Sequence, residues 1–358
     1  MNNSDFFALP HWDRETLLLK VSTWCHTLDA IESNEIENAL EHLMLTGKTP
    51  LQCLPTDFPL PRLHKVLERA VTECEFNSGV FLLRGLPILN KTLPQVRWLA
   101  WGIGLHLGVP LIQNQTGDLL VDVQNSDSLG TQQIRGHCNA NEMEFHVDSC
   151  DLVTLLCVSK AAEGGRSKVA SSVTINHRLA KEYPAECRAL YEALPFIDPS
   201  KTGSNTEAFF KCPVFAQLNG SFTCRFYRKR ILAGLKLSHF SMRSPITLQA
   251  LDLFHDIASS PDSHIEMELE PGDLQCLNNH VVCHARTAFR DGDEPSQKRH
   301  LLRQWFATAS SRPLPDSLKP AYGRVEAGTL RGGYRGWSTA TEILVFQAGL
   351  ARCNRIKL

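Results

Sequence analysis

Apolar and polar positions alternate differently along the two ends of the chain. Residues 13–47 carry Leu17, Leu18, Leu19, Val21, Trp24 and Leu28 at mixed helical spacing, which predicts helix. Four prolines between Pro50 and Pro61 predict an irregular connection. A second helix is expected over Leu63–Cys74, a short buried strand between Gly79 and Gly85, and a helix over Leu93–Leu107 stopped by Gly108-Val-Pro110. Beyond residue 118 short runs with strand character dominate: 119–124, 143–147, 152–158, 168–175, 208–217, 221–228, 264–270, 273–277, 281–284 and 300–308. Asn219-Gly220 reads as a hairpin turn, and Pro271-Gly272-Asp273 as a second tight turn. Helical inserts are expected at Arg178–Leu194 and Thr247–Ser259. Many strands framed by helices predict an α+β chain built on a β-sandwich or jelly roll with a helical jacket. Residues 1–78 are expected to form its mainly helical N-terminal region and 79–358 its β-rich portion, within one structural unit.

Composition narrows the classes. The chain has 358 residues, 43% apolar and 21% charged, which excludes disordered, collagen-like and coiled-coil chains. With 37 basic and 38 acidic residues the formal net charge is -1, so no global field or basic stripe draws in nucleic acid or an anionic membrane. No apolar run reaches the ~18 residues a spanning helix needs. The N-terminus lacks the pattern of a signal peptide, and the twelve cysteines include no C-x-x-C pair. Cys157, Cys276 and Cys283 read as small buried hydrophobes within strands. The expectation is a reduced, cytoplasmic protein; nothing in the sequence fixes its oligomeric state. Asn125–Asn141, rich in Ser, Gly, Gln and Asn, reads as a mobile loop leading into the next strand.

Candidate chemistry begins at Phe145-His146-Val147-Asp148. Strand residues two apart face one side, so the His146 imidazole and the Asp148 carboxylate can reach one ion. One more histidine would complete a two-histidine, one-carboxylate face with open positions for iron(II). Both His280 and His284, four apart in one extended segment, are candidates for it. For His280 the plain alternative is a polar residue at the start of a strand, bonded to backbone. Arg299 and Arg303 follow His284 by 15 and 19 residues and share one strand face. A buried guanidinium pair beside a metal is costly unless it meets anions. Glu163-Gly-Gly-Arg-Ser167 offers a tight turn or close backbone approach, and a hydroxyl at Ser167. Arg135, Asn139, Asn141, Arg225 and Arg228 are further candidates for lining the pocket. Glu144, two residues before His146, keeps a zinc hydrolase open as another reading.

Four blocks in order carry a resemblance: FHVDSCDLVTLLCV (145–158), EGGRSKVASSV (163–173), LEPGDLQCLNNHVVCHARTAF (269–289) and KRHLLRQW (298–305). Together they resemble the taurine dioxygenase and clavaminate synthase-like family of iron(II)/2-oxoglutarate oxygenases. The resemblance implies a double-stranded β-helix, with iron(II) bound by His146, Asp148 and His284. Ala285, Arg286 and Phe289 suit the family pattern after its second histidine, which favours His284 over His280. Ser167 stands where the family contacts the distal carboxylate of 2-oxoglutarate, and Arg299 where it places the salt-bridging arginine. Arg303 stands where several members contact an anionic substrate, and the two arginines could exchange roles. The implied reaction consumes O2 and 2-oxoglutarate, releases succinate and CO2, and oxidises a C–H bond of a small molecule. That molecule is expected to bear a carboxylate, as in an amino acid or a natural-product intermediate. Hydroxylation is the default; the Asp148 carboxylate argues against halogenation, whereas desaturation or oxidative cyclisation would use the same ligands. A metal-binding jelly roll without catalysis is the remaining alternative.

Overall fold

The computed structural model describes residues 11–125, 139–198, 208–237, 245–334 and 340–358. Two mainly antiparallel sheets face one another. In the larger, strands run in the order Cys25–Thr27, Val80–Arg84, Leu274–Asn278, Leu152–Ser159, His300–Ala307 and Val109–Pro110, with Val121–Gln124 also paired to His300–Ala307. Only its first pair, Cys25–Thr27 with Val80–Arg84, is parallel. The smaller sheet runs His264–Met267, Ser167–Ser171, Val282–Arg286 and Met143–His146. This is the expected jelly-roll core.

Strand alternation sorts side chains into three apolar layers. Along the larger sheet Phe81, Leu83, Leu152, Leu156, Leu274, Cys276, Leu302 and Phe306 point outward, against Ile36, Leu40, Leu43, Leu67, Leu99 and Ile103 of the N-terminal helices. Val80, Leu82, Val153, Cys157, Leu277, Leu301 and Trp305 point inward, where Val169, Ile265 and Val282 of the smaller sheet meet them. The outer face of the smaller sheet, with Phe145, Val147, Ala170, Cys283 and Ala285, is covered by Ile175, Leu179, Leu251 and Phe254 from helices Ser172–Glu182 and Pro245–Ser259. Cys157, Cys276 and Cys283 are buried within strands as expected.

Several elements differ from the sequence reading. The N-terminal helix is broken: Arg14–Leu18 and Val21–Trp24 give way to the strand Cys25–Thr27 before Ala30–Leu45 begins. Pairing of Cys25–Thr27 with Leu82–Arg84 fills the open edge of the larger sheet and overrides the local helical pattern. The strand expected at 168–175 stops at Ser171, whose hydroxyl accepts from Thr174 N and caps the helix Ser172–Glu182. The helix expected over Arg178–Leu194 is therefore shifted and split, continuing as Pro184–Ala189 after Tyr183. The run 208–217 divides into Phe209–Cys212 and Phe215–Leu218 around Pro213, and 221–228 keeps only Ser221–Cys224 as strand. Helices Arg228–Leu237 and Thr341–Cys353 were not anticipated. The Asn219-Gly220 hairpin forms as read, with positive φ of 51° and 79° and Leu218 opposite Ser221. Most of the expected loop Asn125–Asn141 lies outside the described residues.

Candidate metal centre and cosubstrate pocket

The alternation that sends Phe145 and Val147 into the outer apolar layer turns His146 and Asp148 toward the sandwich interior. On the neighbouring strand Cys283 and Ala285 point outward, so His284 and Arg286 point in. His284 pairs directly across from His146, and their ring centroids are 4.4 Å apart. His146, Asp148 and His284 are all buried, and one ligand atom from each lies within 4.8 Å of the other two. Each is held from behind. His146 Nδ1 is bonded at 2.9 Å to the carbonyl of Glu144, which turns Nε2 toward the centre. Asp148 Oδ2 accepts from Trp305 Nε1 at 2.9 Å and lies 3.6 Å from Arg303 Nη1 and 3.8 Å from His284 Nε2. The Asp148 backbone N–H donates to Asn279 Oδ1 at 2.9 Å.

The donor set suits a divalent metal. Burial resists ionisation of Asp148, but Arg303, the two histidines and the Trp305 hydrogen bond outweigh it and hold the carboxyl down at about 2. Burial pushes the His146 imidazole down, and burial with the neighbouring His146 pushes His284 down to about 3. At neutral pH the centre therefore offers one carboxylate and two neutral imidazoles with free lone pairs. Two nitrogens and one oxygen on adjacent strands, with one side open, fit iron(II) in a facial arrangement better than a closed tetrahedral zinc site.

His280 plays another part. It is fully buried four residues before His284, with Nε2 at 2.8 Å from Asp151 Oδ1 and Nδ1 at 2.9 Å from Thr223 Oγ1. Its partners are side chains rather than the backbone the sequence suggested. Arg331 Nε also donates to Asp151 Oδ1 at 2.8 Å, which makes His280 a member of a buried ionic network.

Beside the centre, Val123, Met143, His146, Leu155, Ser167, His284, Ala285, Arg286, Arg299, Leu301 and Arg303 line a pocket. Ser167, Arg299 and Arg303 are thus brought together with the two histidines. Arg299 is 6% exposed, yet its Nη1 has no hydrogen-bond partner. Its Nε donates to Gly165 O at 3.3 Å, and its guanidinium lies 5.5 Å from the Phe289 ring, which Arg286 also approaches at 4.7 Å. Gly165 makes this possible: its φ is +73°, and a Cβ there would lie 2.8 Å from Arg299 Cδ. Burial, then the charge of Arg286, holds Arg299 down to about 10. A buried cation with an unanswered donor fits the carboxylate of a dianionic ligand such as 2-oxoglutarate. Ser167 donates its hydroxyl proton to Gln275 Oε1 at 2.9 Å and keeps its lone pairs for other donors. Arg303 is already engaged, through Nε to Gln113 Oε1 at 2.8 Å and by stacking 4.9 Å over Trp305.

Sequence reasoning missed Trp305, Asn279, Gln275 and Gln113. Only the inward parity of Trp305 with Arg303, two residues away, was a usable signal. Among the remaining candidates, Arg286 donates to the carbonyls of Asn139 and Asn141, and Arg228 is tied to Asp252 at the surface. Arg135 lies outside the described residues.

The chain is similar to several known proteins. "FR-33289 synthase" of Streptomyces rubellomurinus is 32% identical over 303 residues, 83% of this chain and 89% of that protein. "Taurine hydroxylase-like protein SAT17" of Stachybotrys chartarum is 26% identical over 282 residues, 75% of this chain and 71% of its own. A solved asparagine oxygenase with Fe(II), 2S,3S-3-hydroxyasparagine and succinate superposes with a TM-score of 0.60 at 18% identity, covering 79% of this chain and 93% of that one, and shares the fold. The family described as "Taurine catabolism dioxygenase TauD, TfdA family" matches residues 45–305, which include all four sequence blocks, the three buried donors and both pocket arginines, so the chain belongs to that family of dioxygenases.

Proposed function

We propose that this protein is an Fe(II)- and 2-oxoglutarate-dependent dioxygenase that hydroxylates an unactivated C–H bond of a small acid, such as an amino acid or natural-product intermediate, with release of succinate and CO2. The observation that carries this reading is the convergence of His146, Asp148 and His284 beside a pocket that ends in the unanswered donor of Arg299. In this reading the three donors hold iron. Bound there with 2-oxoglutarate and O2, iron supplies the oxidising chemistry.

The chain's residues set the geometry. Arg299 takes the distal carboxylate of 2-oxoglutarate, with Ser167 beside it, and Phe289 keeps water from that ion pair. Arg303 braces Asp148 and the near end of the cosubstrate, while the Trp305 hydrogen bond fixes one Asp148 oxygen and leaves the other for metal. The apolar wall of Val123, Leu155 and Leu301 excludes water from the cosubstrate, which strengthens each charged contact. The relatives support a small substrate: one is named as a synthase of FR-33289, and one solved neighbour holds a hydroxylated asparagine. The described cysteines are all free thiols, which supports a cytoplasmic setting. Among the described residues no helix is long and apolar enough to cross a membrane.

Anaerobic addition of Fe(II) and 2-oxoglutarate should produce a visible charge-transfer band. Admission of oxygen with a panel of amino acids and small acids should release succinate in step with an oxidised product. Failure to bind 2-oxoglutarate, together with hydrolysis by a zinc-loaded preparation, would overturn the reading.

A further inference from the structure

Two further cations lie near the triad, outside the pocket of Arg299. The extended segment 224–227 runs beside Met143–His146: Val147 N donates to Phe226 O at 2.9 Å, and His146 forms an isolated bridge with Tyr227. Its alternation buries Cys224 and Phe226 in the outer apolar layer, where Phe226 stacks on Phe254 with centroids 3.7 Å apart. Arg225 and Tyr227 therefore turn toward the face that carries the triad. The Tyr227 ring lies 5.0 Å from that of His146, and Arg225 Nη2 donates at 3.1 Å to Oγ of Ser149, the neighbour of Asp148. Helix Arg228–Leu237 then folds Arg230 back so that its guanidinium lies 4.8 Å from the Tyr227 ring. None of these three residues lines the pocket of Arg299.

Among the described residues this pair of guanidiniums has no counter-ion within salt-bridge distance. Arg225 is 5% exposed, and its Nε and Nη1 have no hydrogen-bond partner. Rings of Phe196, Phe210 and Tyr322 surround it at 5.3–5.6 Å. The Cys212 thiol and Tyr322 hydroxyl lie close to it, and neither answers Nε or Nη1. Among the described residues no carboxylate oxygen comes within 4.0 Å of Arg225 or Arg230. The two also repel one another: after burial, the charge of Arg225 helps to hold Arg230 below the ordinary arginine range, against the pull of Tyr227, Asp148 and Asp198. Asp148 is itself engaged by Arg303 and Trp305, and the charges of iron(II) and 2-oxoglutarate cancel. A cation pair with one member buried and the other half-buried is costly unless an anion meets it.

We infer that Arg225 and Arg230 form the substrate's anion subsite. An oxyanion of the substrate (a carboxylate, or a phosphate, phosphonate or sulfonate) docks beside Tyr227, outside the pocket of Arg299. Arg303 is engaged by Gln113 and Asp148 and braces the centre. This assignment rests on the oxygenase reading above, and it makes Arg225 and Arg230 specificity-determining residues.

The test uses the protein loaded anaerobically with Fe(II) and saturating 2-oxoglutarate, titrated calorimetrically with acetate, methylphosphonate and methanesulfonate. At least one probe should bind, and its preference for planar or tetrahedral oxyanions identifies the substrate's acid group. Arg225→Gln and Arg230→Gln should each weaken that probe by about tenfold or more, a loss of roughly 1.4 kcal/mol. Arg230→Lys should restore most of it, and 2-oxoglutarate affinity should move by less than about twofold in all three variants. If Arg225→Gln does not fold, the partly exposed Arg230, on the first turn of its helix, carries the test. No probe binding to the wild type, unchanged binding in the variants, or an equal loss of 2-oxoglutarate affinity would overturn the subsite. Absence of 2-oxoglutarate binding in the wild type would instead overturn the oxygenase reading, so the two failures are distinct.

Discussion

Replacing Arg299 with methionine should move stability and cosubstrate binding in opposite directions. In the protein without cosubstrate, Arg299 is a buried cation with an unanswered Nη1 and with Arg286 as a repelling neighbour. Its depression from 12.5 to about 10 corresponds to ~3 kcal/mol against the charged form. Methionine keeps an unbranched stem over Phe289 and removes the charge, so the variant without 2-oxoglutarate should be as stable as the wild type or up to ~3 kcal/mol more stable. With the cosubstrate the balance reverses. Removing one partner of a buried ion pair costs about 3–5 kcal/mol, which weakens the dissociation constant by about two to four orders of magnitude. Thermal or urea unfolding with Fe(II) under nitrogen reads both effects. At a 2-oxoglutarate concentration about 100 times the wild-type dissociation constant, the ligand should stabilise the wild type by about 2.7 kcal/mol and the variant by less than about 0.5 kcal/mol. A variant less stable without cosubstrate, yet stabilised by it as the wild type is, would show that Arg299 is a structural arginine and refute the argument.

Three further perturbations test the rest of the site. His146→Ala, Asp148→Ala and His284→Ala should each abolish stoichiometric Fe(II) binding by metal analysis; His280→Ala should retain it while losing about 2–4 kcal/mol of stability to urea, since Thr223 and Asp151 each lose a buried partner. The folded-state value of His280 is depressed to about 4, so the unfolded chain takes up a proton first and stability should fall as pH drops from about 6.5 to 4, on the order of 3 kcal/mol from this group; a His280→Ala curve as steep as the wild type over that window would contradict the network. Gly165→Ala should weaken 2-oxoglutarate by about tenfold, because the +73° φ and the 2.8 Å approach to Arg299 Cδ both resist a Cβ; unchanged cosubstrate affinity in calorimetry would show that Arg299 does not depend on that turn.

Local signals were legible where one physical rule acted alone. Asn219-Gly220 formed its hairpin because both residues accept positive φ. The helix Leu93–Leu107 ended at Gly108 as read. Local signals misled where a distant partner decided. Cys25–Thr27 is a strand because Leu82–Arg84 has an open edge, and nothing within residues 13–47 encodes that edge. The β-branched run Val173-Thr174-Ile175 looked like strand, but the Ser171 cap and the apolar layer around Phe254 and Leu251 made it helix.

The same division runs through the site. Taken alone, the sequence determined the His146–Asp148 pair, because strand periodicity gives two residues one face, and it gave Arg299 and Arg303 a shared face for the same reason. By periodicity it could not choose between His280 and His284, which are four apart and equivalent. Tertiary structure separates them: His284 lies opposite His146 across one strand pair, while His280 is bonded to Asp151 and Thr223, far off in the chain. Nor could the sequence announce Trp305 and Asn279 as supports of Asp148, or Arg225 and Arg230 as cations without a counter-ion among the described residues. Those roles consist of distances between segments, and a charge is paired or unpaired only once the sheets have closed around it.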